Sequence, residues 1–202
     1  MNLFGHLRDY TDTMSNSAAS EQTTPPAASA LYDEWLVMMA QGGDRQAAAM
    51  LFRRWNPRLA RAARRYGIGD EAALDLAQEC WVAILKGIGR LEDPRRFRSY
   101  AFAVLHRRGA DHIRTSLRER SAVEQHREES ADTPHSDASE RAAIAQGFAK
   151  LPREQRIAAH LFFVEGLTLR EIAHAQSIPE GTAKSRIFNA RKALKAALKP
   201  DP

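Results

Sequence analysis

The sequence predicts an all-α protein made of two small helical domains, an N-terminal helix bundle and a C-terminal helix-turn-helix domain, joined by a flexible acidic linker. Three observations predict this. Good helix formers (Ala, Leu, Arg, Lys, Glu) dominate while strand formers are sparse, with aromatics at 7% and charged residues at 27%. Apolar residues recur at helical spacing in two blocks, separated by a polar stretch without periodicity. Finally, 202 residues at 44% hydrophobic content supply at least one packed core and no more than two small ones.

The elements follow in order. Residues 1–30 are rich in Ser, Thr, Ala and Pro (Ser15, Ser17, Thr23, Pro25, Pro26) and read as a disordered tail. Residues 31–114 read as four helices of one bundle, with Leu31, Trp35, Met38 and Met39 as the apolar positions of the first. Met50, Leu51 and Trp55 serve the second, Leu74, Trp81, Ile84 and Leu85 the third, and Phe97, Ala101, Val104 and Leu105 the fourth. Gly42-Gly43-Asp44, Gly67-Ile68-Gly69-Asp70 and Glu92-Asp93-Pro94 each supply a breaker followed by a residue suited to a helix start. Residues 115–140 hold seven acids against three bases and read as an acidic linker. Residues 141–199 form the second domain, where Pro152 opens a helix and Gly166 closes it.

Within that domain Thr168 caps a short helix, and Glu171 three residues later completes a capping box. Ser177-Ile178-Pro179 breaks it, and a second helix starts near Glu180 with Ala183, Ile187, Ala190 and Leu194 as one buried stripe. Residues 182–199 carry six cations and no acid. A short helix, a three-residue turn and a longer basic helix make a helix-turn-helix, whose second helix enters the major groove. Lys184, Ser185 and Phe188 project where base edges lie; Thr182, Arg186 and Arg191 complete the expected contact set. A merely solvated basic face is the bland alternative, and the one-sided charge behind a turn argues against it.

A net charge of +5 and pI near 9.6 favour a polyanionic partner. The single cysteine, Cys80, excludes an intramolecular disulfide, and no Cys or His cluster has zinc spacing, so no metal or cofactor is expected. The longest apolar runs, such as residues 81–85, are too short to span a bilayer, and the expectation is a cytoplasmic protein without membrane insertion. Asp70, Glu71 and Asp75 are the only candidate carboxylate cluster in the N-terminal domain; helix-start roles explain the first two, so no enzyme is expected.

The residues L151-P-R-E-Q-R, E165-G-L-T-L-R-E-I-A and E180-G-T-A-K-S-R-I-F-N-A-R resemble the C-terminal domain of bacterial RNA polymerase sigma factors, most of all the extracytoplasmic-function (ECF) group. Upstream, G43-D44 with Ala47, then D75-L-A-Q-E, F97-R-S-Y and D111-H-I-R resemble the other domain of that family, in its order. The resemblance implies a sigma factor that binds core RNA polymerase, directs it to promoters and assists melting. Its C-terminal domain would read the minus-thirty-five element as duplex and meet the flap of the second-largest polymerase subunit. Its N-terminal domain would hold the clamp of the largest subunit through Asp75, Leu76, Gln78 and Glu79, and capture the minus-ten element through Arg95, Arg96, Arg98, Tyr100, Arg107, Arg108 and Arg114. A separate anti-sigma protein is the implied inhibitor.

The residues fit that division. Residues 90–114 hold seven arginines against three acids, interleaved with Phe97, Tyr100 and Phe102, which either stack on unstacked bases or fill the core. In this family the linker threads the polymerase cleft. About 25 flexible residues span roughly 28 Å on average but reach roughly 80 Å extended, while the two promoter elements lie roughly 70 Å apart. Stretching therefore needs polymerase contacts, and the free chain is expected to bind promoter duplex poorly. Four positions depart from the family pattern, one of them Gln176, which stands where relatives have an aliphatic residue. Ser177 stands where many relatives have Gly, so the turn is either looser or built at negative φ; Tyr100 replaces Trp, and Arg107 replaces Asn. The alternative reading is a helix-turn-helix regulator acting as a dimer outside the polymerase.

Overall fold

The computed structural model describes residues 27–122 and 140–197. Residues 1–26 of the expected tail and 123–139 of the expected linker lie outside the described residues. Among the described residues the N-terminal half holds α1 (Ala27–Gln41), α2 (Arg45–Arg64), α3 (Asp70–Gly87) and α4 (Phe97–Ala122), with 3₁₀ turns at Ile88–Arg90 and Pro94–Arg96 between the last two. The C-terminal half holds α5 (Glu140–Ala149), α6 (Arg153–Ala159), which continues through a π-helical turn at His160–Val164, then α7 (Leu169–Gln176) and α8 (Glu180–Ala197).

Local chemistry sets the boundaries. Asp44 caps α2, its Oδ1 accepting from the backbone N–H groups of Gln46 (2.8 Å) and Ala47 (3.1 Å). Asp93 caps the turn before α4 by accepting from the N–H of Arg95 at 3.0 Å. At α7 the capping box closes both ways: the Glu171 N–H donates to Thr168 Oγ1 at 3.1 Å, and the Thr168 N–H donates to Glu171 Oε2 at 2.8 Å. Two boundaries differ from expectation. The first helix starts at Ala27, within the expected tail, and α4 runs to Ala122, well into the expected linker. Residues 115–122 contain no Gly or Pro and include good helix formers, so helix continues after the apolar period has faded.

The N-terminal core packs Leu36 and Val37 of α1, Leu51, Trp55 and Leu59 of α2, Leu76, Cys80, Trp81 and Ile84 of α3, and Phe97, Ala101, Phe102 and Leu105 of α4. Trp55 meets Phe97 edge-on with centroids 5.1 Å apart. Burying each such side chain contributes about 1.5–3 kcal/mol. The expected core set is corrected here: Leu31, Trp35, Met38, Met39, Met50, Leu74 and Leu85 are exposed. Residues 35–40 of α1 are apolar without a break, so helical spacing does not choose a face, and the face with Leu36 and Val37 turns inward.

The C-terminal half rests on the N-terminal half. Ile157, Ala158, Leu161, Leu167, Ile172 and Ala173 join the same continuous apolar core, and α7 lies against α4. A smaller cluster of Phe148, Leu151, Ala159, Ala190 and Leu194 holds α5, α6 and α8 together.

Candidate nucleic-acid interface

The turn between α7 and α8 is built at positive φ. Ser177 has φ 52° and ψ 46°, its N–H donates to the His174 carbonyl at 3.2 Å, and the Ile178 N–H donates to Ala173 at 3.0 Å. This settles the open question about Ser177 in favour of the left-handed conformation a glycine would adopt, not negative φ. The Pro179 carbonyl then accepts from Thr182 (2.9 Å) and Ala183 (3.1 Å), which starts α8 in its new direction.

The stripe Ala183, Ile187, Ala190 and Leu194 is buried, which fixes the opposite face of α8 outward. Lys184 and Ser185 are exposed there, and Phe188 is 65% exposed. Phe188 is thus an isolated phenyl ring in water on a basic helix face. The Ser185 hydroxyl donates to the Thr182 carbonyl at 2.9 Å, and Thr182 itself is half-buried, as is Arg191. Arg186 is corrected: its guanidinium donates to Gln176 Oε1 at 2.9 Å and pairs with Glu154 Oε2 at 3.0 Å. It ties α8 to α7 and α6 instead of projecting with Lys184 and Phe188.

On α4 and the turn before it, Arg95, Arg96, Arg107, Arg108 and Arg114 are exposed. Arg95 donates from Nε to Asp93 at 2.9 Å, and Arg114 pairs with Asp111 at 3.3 Å. Phe97 and Phe102 are buried, so of the two readings left open for them the structure supports core packing. Tyr100 is half-buried, with its hydroxyl donating to the Ile84 carbonyl at 3.4 Å. Arg98, expected at the minus-ten element, is engaged within the chain: its guanidinium lies 3.5 Å from Glu171 Oε2 and 3.5 Å from the Glu165 carbonyl, both across the seam with the C-terminal half. A cleft of about 820 Å³ opens along that seam, with His106, Arg107 and Arg114 facing Arg170, His174 and the Ser177 turn.

The outer face of α3 carries Asp75, Gln78 and Glu79, all exposed. Leu76 is only 2% exposed and belongs to the core, so its assignment to a contact surface is corrected. The same outer face carries Leu74, Val82 (55% exposed) and Leu85, which sequence reasoning missed. Their spacing with Gln78 at four, four and three residues puts them on one outward stripe of α3. Among the described residues no group of three or more His, Cys, Asp or Glu side chains is placed to hold a metal ion.

One ion pair lies deep in the seam. Arg58 of α2 reaches Glu165 Oε2 at 2.7 Å while stacking its guanidinium 4.0 Å over the Trp55 ring. His160 Nε2 lies 3.5 Å from the other carboxylate oxygen. Burial pushes the Glu165 carboxyl up, but His160 and Arg58 outweigh it and hold the carboxyl below its usual range. Burial lowers the His160 imidazole, against the pull of Glu165.

Two family patterns match the chain. The family pattern of Sigma-70 region 2 matches residues 51–119, and that of Sigma-70, region 4 matches residues 141–194. The chain is 27% identical to the RNA polymerase sigma-H factor of Pseudomonas aeruginosa over 182 residues, covering 83% of this chain and 94% of that one. It is 25% identical to the ECF RNA polymerase sigma-E factor of Escherichia coli K12 over 184 residues, covering 84% and 96%. Among solved structures it is similar to CnrH in complex with the cytosolic domain of CnrY, with a TM-score of 0.59, 26% identity, and 85% and 99% of the two chains covered. It also shares its fold with the sigma factor RpoE of Bartonella quintana in complex with the anti-sigma factor NepR, with a TM-score of 0.68, 21% identity, and 76% and 98% covered.

Proposed function

The chain belongs to the sigma-70 family of RNA polymerase sigma factors, in its ECF group, and from that premise we propose that its two helical halves divide the reading of a promoter between them. As a sigma factor it binds core RNA polymerase and serves transcription initiation. In the proposed division α8 enters the major groove of the minus-thirty-five element, with Phe188 against a thymine methyl and Lys184 at a guanine edge. The observation that carries this is the outward face of Lys184, Ser185 and Phe188 on a helix whose other side is fully buried. Arg191 and Thr182 flank that face, whereas Arg186 positions α8.

On the same reading Arg95, Arg96, Arg107, Arg108 and Arg114 follow the phosphates of the minus-ten strand, and the Tyr100 ring stacks on an unpaired base. Arg98, engaged by Glu171 and the Glu165 carbonyl, stands apart from that set. The polymerase clamp meets Asp75, Gln78 and Glu79 together with Leu74, Val82 and Leu85, because exposed apolar side chains ringed by polar ones are the composition of a protein interface. The C-terminal half meets the polymerase flap. Bond formation belongs to the polymerase, and this chain is its non-catalytic specificity subunit. A subunit of the polymerase works in the cytoplasm, and no helix among the described residues is long and apolar enough to cross a membrane. A separate anti-sigma protein is the proposed inhibitor, supported by the solved complex of the related fold with NepR. The dimeric-regulator reading is not favoured, because the relatives named as sigma factors match across most of the chain.

Run-off transcription with core polymerase on fragmented genomic DNA tests the proposal. The expected result is a set of start sites sharing two upstream elements, with Phe188→Ala losing preference only at the distal one. Sequence-specific nanomolar binding of the chain to duplex promoter without polymerase, and no start sites with it, would overturn it.

A further inference from the structure

Gln176 ends α7 where the chain turns toward α8, and only one end of its amide is engaged. The residue is 4% exposed, its Oε1 accepts from Arg186 Nη1 at 2.9 Å, and its buried Nε2 has no hydrogen-bond partner among the described residues. A guanidinium only donates, so Arg186 dictates which end of the amide faces it. The other end is left as an unsatisfied buried donor, which destabilises, and a leucine of similar size would fill the space without one. Packing alone therefore does not explain this side chain. The acceptor it offers to Arg186 does.

Arg186 makes a second contact, to Glu154 Oε2 at 3.0 Å. One residue of α8 is thus anchored to both α7 and α6. The anchor lies between Ala183 and Ile187 of the buried stripe, within the two turns that present Lys184, Ser185 and Phe188. Two of the four stripe residues are alanines, whose single methyl groups interlock weakly and resist rotation of the helix about its axis less than larger side chains would. A roll of about 10° carries a side-chain tip about 1 Å, because a helix with its side chains is about 10–12 Å across. Binding groups need placement to within about 0.5 Å. Phosphate contacts from long cationic side chains tolerate such a shift, whereas contacts to base edges carry the sequence information and do not.

We infer that Gln176 is a positioning residue for promoter choice: through Arg186 it fixes the roll of α8, and with it the placement of Lys184, Ser185 and Phe188 on the bases of the distal element. The inference rests on the reading of α8 as the helix that enters the major groove. Glu154 offsets the charge of Arg186, so the anchor acts on orientation and not on attraction to the duplex.

Transcription by the full chain with core polymerase, from promoters whose distal element is randomised, tests this. The readout is the ratio of transcript from the preferred element to that from its single mismatches. Gln176→Leu removes the acceptor without opening a cavity; it should narrow that ratio by about tenfold, the worth of one base contact, while the melting temperature and the salt dependence of promoter binding stay as in the wild type. Gln176→Glu keeps an acceptor for Arg186 and should retain the wild-type ratio. Arg186→Leu should narrow the ratio as Gln176→Leu does, and the double variant should be no worse than either. An Arg186 that touched phosphate would instead lower the salt slope by about 0.9 on replacement. That result overturns the inference, as does a wild-type ratio in Gln176→Leu or a ratio narrowed equally in Gln176→Glu. Should Gln176→Leu fail to fold, Glu154→Ala removes the other anchor of Arg186 from a half-exposed site, and an unchanged ratio there overturns the inference in its place. Failure of the major-groove reading looks different: Phe188→Ala then leaves the preference at the distal element unchanged.

Discussion

The hydroxyl of Tyr100 lies over Gly87, so close that a β-carbon at position 87 would stand 2.3 Å from it. The same hydroxyl donates to the Ile84 carbonyl at 3.4 Å, so the end of α3 seats the ring that the proposed function stacks on an unpaired base. A second glycine meets a tyrosine differently. At Gly109 an added β-carbon would stand 2.5 Å from Cε1 and 2.7 Å from Cδ1 of Tyr66, a ring that is buried with its hydroxyl 3.1 Å from His106 Nδ1.

Gly87→Ala and Gly109→Ala should therefore behave differently. At 87 the clash falls on the far end of a half-buried side chain that swings away, and alanine's better helix propensity, about 1 kcal/mol, offsets the cost. Stability should stay nearly unchanged while promoter melting slows. At 109 the ring has nowhere to go, and overpacking costs about 1–3 kcal/mol against the same gain, leaving a net loss of up to about 2 kcal/mol. Urea unfolding of the two variants beside abortive transcription assays separates the cases; equal stability losses would contradict this account.

Leu76 and Val82 share α3 but face opposite ways, and substitutions should show it. Leu76→Ala removes a core side chain and should cost about 2–5 kcal/mol in urea unfolding. Val82→Asp places a charge on an exposed site, where stability changes by about 0.5 kcal/mol or less, yet it should weaken binding to core polymerase by about tenfold, as burying an unpaired charge in an interface does. Polymerase binding that survives Val82→Asp would remove the outer face of α3 from the contact surface.

What was legible in the sequence was what short-range chemistry decides. The Thr168–Glu171 capping box, the Asp44 cap and the Ala183, Ile187, Ala190 and Leu194 stripe each need only neighbours within two turns. What was not legible depends on partners distant in sequence. The α1 face could not be chosen from residues 35–40, because every one of them is apolar and only the packing of α2 selects Leu36 and Val37. Arg98 and Arg186 look like any other cations of a basic segment, and nothing local says that Glu171 and Glu154 reach them. The exposed Val82 and Leu85 belong to the same class: a stripe is readable, but which of two stripes faces the core is not.

Ser177 holds a left-handed conformation, φ 52°, that costs a non-glycine residue about 1–2 kcal/mol. Ser177→Gly should stabilise the chain by about 0.5–1 kcal/mol, and Ser177→Val should destabilise it by more than about 1 kcal/mol. Thermal melts of the two variants check this, and a stabilising valine would mean that the turn adopts negative φ after all.

Acid should destabilise the folded chain well before the carboxylates titrate, and the sign follows from His160. His160 is buried among Glu165, Arg58, Arg61 and Arg65, and burial lowers its pKa despite the carboxylate, so the folded state binds this proton less readily than the unfolded chain. Stability from the neutral imidazole is then complete above about pH 6.5, the unfolded value, and is lost as pH falls from there toward the folded pKa. Glu165 is likewise lowered, by His160 and Arg58 against burial, and adds a second loss as pH falls below the ordinary glutamate range. His106, lowered by burial beside Tyr66, has the same sign as His160 and acts in the same window. Unfolding free energy measured in urea from pH 8 to pH 5 should therefore decline with a slope of up to about 1.4 kcal/mol per pH unit for each histidine. His160→Phe should flatten part of that decline and leave the part due to His106, and His106→Phe should do the converse. Parallel curves for wild type and His160→Phe would mean that the imidazole takes its proton equally in both states, and the buried Glu165 would then owe its ionisation to Arg58 alone.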